Sequence, residues 1–202
     1  KMNGTTLTSG SSGAGGQLSF VSSMGVVMVP GYFWYVNNNG TVTASTTNTS
    51  ALLQASSMAF SNTSIIDIVP GYTLTFSGVI SGTGTLSIGG GGTVLLSAAN
   101  TYSGTLTANA GILKVGTTTA LGTGAVSVNS GGVIDLNGQT MTSTGALTLR
   151  GTGINNAGAL INSSSTAATY AGLVTLGAAT SIVAGTGRIT LSNTGTITGA
   201  GF

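Results

Sequence analysis

The chain has 202 residues, four of them Lys or Arg, two Asp or Glu and none His, with a net charge of +2. Scattered cations exclude the basic patch that nucleic acid binding needs. Two aspartates without a histidine fall short of the convergent acid–base set of a hydrolase or lyase, so a non-enzymatic protein without cofactor is expected. The hydrophobic share of 41% recurs regularly along the chain, against the disorder that Gly- and Ser-rich composition otherwise signals. Cysteine is absent, which fits either redox compartment.

Residues 1–60 are expected to be an N-terminal arm followed by a capping or interface segment, partly β. Lys1 to Gly16 is poor in apolar residues. The longest apolar stretch, Gly25 to Val36, is broken by Pro30 and is shorter than the ~20 residues a spanning helix needs, so membrane insertion of this segment is not expected. Tyr32, Phe33, Trp34 and Tyr35 are adjacent and cannot all face inward on one strand. They read as a cap or a contact surface. Asn37-Asn-Asn-Gly40 is a turn signal, because Asn and Gly tolerate positive φ. Val29-Pro-Gly-Tyr32 recurs as Val69-Pro-Gly-Tyr72, and Pro-Gly is a type II turn pair. The forty-residue offset fits two coils of ~20 residues.

Residues 61–202 read as repeats. Strands are expected near Ile65–Val69, Tyr72–Phe76, Thr85–Ile88, Thr93–Ser97, Thr105–Thr107, Ile112–Val115, Ala125–Val128, Val133–Leu136, Ala146–Leu149, Ala159–Ile161, Leu173–Leu176, Ser181–Val183, Arg188–Leu191 and Thr196–Thr198. Each alternates aliphatic and polar residues and ends in Gly, Asn or Ser. Short, evenly spaced strands with Gly at the corners point to an all-β, single-stranded parallel β-helix, or β-solenoid, of about eight to ten coils. Within Thr93–Ser97, Val94 and Leu96 are expected on the core face and Leu95 outside.

The segment Gly82 to Gly138 carries a more specific pattern. Gly82, Gly84 and Leu86 precede Leu96, Ser97, Ala99, Asn100, Thr101, Tyr102 and Gly104, and then come Ala110, Gly111, Leu113 and Val115. This pattern resembles the passenger-associated transport repeat (autotransporter-associated β-strand repeat) of bacterial autotransporters. Ile88 and Ala98 depart from it without touching the strand pattern. The resemblance implies a right-handed β-helix at the bacterial cell surface or outside the cell, acting as a stalk or display scaffold. It gives Gly82, Gly84, Leu86, Leu96, Asn100, Thr101, Tyr102, Gly104, Gly111, Leu113 and Val115 a structural role and implies no catalysis.

Asn100 pairs with turn backbone in the structural reading, and Tyr102 caps an apolar edge with a wet hydroxyl. Asp135 is expected at a solvated edge or bonded to a turn amide, and Lys114, Arg150 and Arg188 as outward solubilising groups. No residue set suits a metal. Thr-x-Thr pairs of the kind that line ice-binding solenoids come at uneven gaps, so β propensity explains them. The expected function is a structural subunit of a bacterial surface or matrix assembly. It either stacks end to end, with Phe202 and the Tyr32–Tyr35 run at the contact, or continues as part of a longer passenger. The alternative is an adhesin or glycan-binding module that contacts a host surface.

Overall fold

The structure of the protein, a computed structural model, describes residues 63–68, 70–71, 73–142 and 145–199 in full and, between residues 17 and 59, six strands by their backbone. Lys1–Gly16, the first Val-Pro-Gly-Tyr copy with Tyr32, the Asn37–Gly40 turn and Phe202 lie outside the described residues. All the described elements are short strands apart from one 3-10 turn, Ile154–Asn156.

The strands stack into three parallel ladders that wrap one core. The large sheet holds nine strands: Phe33–Val36, Val42–Ser45, Ser64–Ile68, Leu86–Gly89, Leu106–Ala108, Val126–Val128, Leu147–Gly151, Val174–Thr180 and Thr198–Gly199. All pair in parallel except Phe33–Val36, which runs antiparallel on Val42–Ser45 at one edge. The second sheet holds seven: Ser50–Leu53, Thr73–Phe76, Thr93–Leu96, Gly111–Val115, Gly132–Asp135, Leu160–Asn162 and Ile182–Ala184. The third side is less regular. Ser57–Ala59 pairs with Val79–Ser81, and Thr140–Met141, Ala168–Tyr170 and Ile189–Leu191 form a later ladder. Between them the chain keeps the rung bonds without strand geometry: Thr101 N donates to Ile80 O at 3.0 Å, and Thr142 N to Thr118 O at 3.1 Å. A separate antiparallel pair joins Gln17–Phe20 to Met24–Val27.

Seven strands in the second sheet are separated by six steps, so the described residues make about six turns, against the eight to ten expected of the whole chain. Each turn takes three sides. Val79–Ser81, Thr140–Met141 and Ala168–Tyr170, which the sequence pattern did not reveal, supply much of the third. Coil length is close to that expected: Leu86 aligns with Leu106 and Leu106 with Val126, twenty residues apart each time. The turn from Leu147 to Val174 is longer because it carries the 3-10 turn in its corner.

Strand alternation sends every second residue inward. The burial pattern of Gly111–Val115 alternates strictly, and that of Thr93–Leu96 buries Val94 and Leu96 while Leu95 is half-buried, as expected. Register then stacks like on like between coils: Leu86, Leu106, Val126 and Leu147 form one inward column, and Leu74, Val94, Leu113 and Ile134 another. The corner at Pro70-Gly71 is a turn with Gly71 at φ 83°, the left-handed value that the second corner of a type II turn requires.

Candidate functional site

The motif residues of the Gly82–Val115 segment sit at the corners and on the inward columns of successive coils. Leu86, Leu96, Leu113 and Val115 are core residues. Gly82 accepts the N–H of Ser103 at 3.0 Å, and Thr101 is exposed. Gly84, Gly104, Gly124, Gly145 and Gly172 lie above one another at one corner. A Cβ on Gly104 would collide with the Gly84 carbonyl, one on Gly124 with Gly104, one on Gly145 with Gly124 and one on Gly172 with Gly145. Only glycine allows rungs to stack that closely at the bend. Gly111 opens the next corner, where a side chain would meet the Gly92 carbonyl.

Two tyrosines pack against this glycine column. Tyr102 is 2% exposed, and its hydroxyl donates to the Gly84 carbonyl, with the Thr105 carbonyl 3.2 Å away. The hydroxyl is therefore inside rather than wet as the sequence suggested: the two backbone carbonyls at the glycine corner give the phenol a partner within the coil stack. Tyr170 repeats the arrangement, fully buried and donating to Gly145 O at 2.9 Å. Both belong to a Tyr-x-Gly step, Tyr102-Ser-Gly104 and Tyr170-Ala-Gly172. Burial pushes both phenols up to about 12.

Two buried asparagines join three coils each. Asn100 accepts the Ile80 N–H at 2.7 Å and donates to Ala120 O at 2.5 Å, one coil to either side. Asn162 accepts the Gly138 N–H at 2.8 Å and donates to Gly187 O at 3.0 Å. An amide offers one acceptor and two donors from a single planar head, which suits it to bridge the rung above and the rung below.

The one ion pair among the described residues is Lys114–Asp135, at 3.2 Å on adjacent rungs of the second sheet. Of the two placements expected, Asp135 takes the bond to a turn amide, at Asn137, and is buried rather than at a solvated edge. It accepts the amides of Asn137 at 2.9 Å and Ser163 at 3.0 Å and the Ser163 hydroxyl at 2.6 Å. Lys114 Nζ also donates to Ser163 Oγ at 3.1 Å, so the cluster staples three coils. Lys114 thus does more than solubilise the surface.

The outer face of the large sheet is nearly uncharged. Ser87, Thr107, Ser127, Thr148, Thr175 and Thr198 stand in register, one hydroxyl per coil. Mixed Ser and Thr and unequal coil lengths hide this column from a Thr-x-Thr pattern. The neighbouring outward column runs Asp67, Gly89, Asn109, Asn129 and Arg150. Asp67 pairs with Gly89, and the last three follow the aligned residues Ala108, Val128 and Leu149. Asn129 Nδ2 donates to Asn109 Oδ1 at 2.7 Å, and Arg150 Nη1 donates to Ser127 Oγ at 3.0 Å and Asn129 Oδ1 at 3.5 Å. At the far end, the last coil leaves Ile182, Val183 and Ile197 exposed at 39–49%. Of the aromatic interface candidates, Phe33, Trp34 and Tyr35 fall in the edge strand Phe33–Val36.

No protein-family model matches the chain, and no solved structure matches it. In an alignment 172 residues long that covers 82% of its length, the chain is 33% identical to the adhesin BmaC autotransporter of Brucella suis biovar 1 (strain 1330), and it spans only 4% of the length of that protein. The chain is a parallel β-solenoid whose sequence is similar to a short part of an autotransporter adhesin.

Proposed function

We propose that this chain is a length of the β-solenoid shaft of an autotransporter-type passenger, exposed at the bacterial surface or outside the cell, with a mechanical and display role rather than a catalytic one. The observation that carries this reading is the similarity over most of the chain to a protein described as an adhesin and autotransporter, borne by a fold whose coils stack with continuous core columns. Rung bonds and buried Asn and Tyr contacts couple each coil to its neighbours, which makes a rod from nearly uncharged residues. The repeat resemblance of Gly82–Val115 is the finer part of the same reading.

A second reading, an adhesive module for a glycan or host surface, draws on the printed name of the relative and on the outward hydroxyl and amide columns. Fibre formation by end-to-end stacking would use the last coil with Ile182, Val183 and Ile197. Displaying the chain on a non-adherent cell and measuring attachment separates the readings. A shaft leaves attachment at background, whereas an adhesive module raises it and loses the gain when Thr107 and Thr148 are replaced by Lys.

A further inference from the structure

We propose that two copies of this chain pack face to face through the outer surface of the large sheet, with their long axes antiparallel. The column Asp67, Gly89, Asn109, Asn129, Arg150 is negative at one end, positive at the other and amide-bearing between. Neither charged end has an ion-pair partner within its own chain among the described residues, where Lys114–Asp135 is the one pair. A two-fold axis along the strand direction through the Asn109 rung reverses the solenoid axis and maps each column onto itself. Arg150 then faces Asp67 of the second copy, twice by symmetry. Asn109 faces Asn109, and Asn129 faces the Gly89 rung, where the glycine leaves room for the Asp67 carboxylate of its own copy to lie over it.

The adjoining columns meet on the same terms. Thr107 lies on the axis, Ser87 faces Ser127, and Ile65, 36% exposed, faces Thr148 and is covered. Thr105 and Ala125 beyond them are exposed and small. Small side chains let two sheets approach to the usual ~10 Å. The contact is isologous and therefore closes at a dimer. Charge sets its direction: a parallel arrangement with the two-fold along this column would bring Asp67 against Asp67 and Arg150 against Arg150. This inference does not depend on the adhesin reading.

The test is sedimentation and small-angle scattering of the whole chain, with Arg150→Asp, Asp67→Arg and the double exchange. A dimer is expected with a doubled cross-section and unchanged length. Each single reversal should weaken it about tenfold or more, and the double exchange should restore it. Thr107→Lys, on the axis and facing outward, should also dissociate it, which keeps the test decisive if Arg150→Asp fails to fold. A monomer at every concentration, a particle of doubled length from end-to-end stacking, or a double exchange no tighter than the single reversals would overturn the proposal.

Discussion

The hydroxyl of Tyr170 lies 2.9 Å from the carbonyl oxygen of Gly145, one coil earlier, and the carbonyl it meets belongs to a column where only glycine fits. The same corner thus demands two residue types at once. Glycine lets the backbones approach, and tyrosine fills the space beside them while its hydroxyl satisfies a carbonyl. Replacing Tyr170 by Phe removes the bond and keeps the ring. It should cost about 1 kcal/mol in a denaturant midpoint, whereas Tyr170→Ala should cost about 3–5 kcal/mol. Equal costs would show that the hydroxyl bond, not the ring, dominates this corner.

Alkaline stability follows from the same pair. Folded Tyr102 and Tyr170 hold their protons up to about 12, against 10.0 for an ordinary tyrosine. Below pH 10 both folded and unfolded chains keep the neutral phenols, and the stabilisation is complete. Between about pH 10 and 12 the unfolded chain releases protons that the folded chain retains, so stability falls as pH rises. Thermal melts across that window should show the fall, and the Tyr102→Phe/Tyr170→Phe variant should show a shallower slope. An unchanged slope would mean that neither phenol is buried in the folded chain.

Asn100 should be worth more than an outward asparagine. Replacing it by Leu keeps volume but leaves the buried Ile80 amide and Ala120 carbonyl without the side chain that bridges them. A loss of about 1–3 kcal/mol per stranded group is expected. Asn109→Leu, on the outer face, should change stability by less than about 0.5 kcal/mol. Equal losses at the two positions would contradict the placement of Asn100 inside the coil stack.

Leu95 and Leu96 are adjacent, and only Leu96 is buried, at 2% exposure. Leu96→Ala should cost about 2–5 kcal/mol and Leu95→Ala clearly less. The comparison reads the strand face directly, because a one-residue slip in register would exchange the two values.

Much of this architecture is legible in the sequence because its signals are local. Alternation over Thr93–Leu96 and Gly111–Val115 gives both the strands and their inward faces, and the glycines mark the corners. The third side is largely illegible for the same reason, Ile189–Leu191 being a strand there that alternation does reveal. Val79–Ser81, Thr140–Met141 and Ala168–Tyr170 are two or three residues long, too short to show a period, and they hold their place through rung bonds to other coils. The inward hydroxyl of Tyr102 and the burial of Asp135 depend on partners a coil away, Gly84 in one case and Ser163 in the other. The hydroxyl column of the large sheet emerges only when coils of unequal length are brought into register.

The stacking of coils is tested most directly by one distance between spin labels on cysteines introduced at Ser87 and Thr198, with labelled chain diluted in unlabelled chain. Register places these positions five rungs apart on one outward column. At ~4.8 Å per rung the backbone separation is about 24 Å, with a narrow distribution. An unstacked flexible chain across the same interval would give a broad distribution centred on the order of 60 Å, and that result would contradict the solenoid.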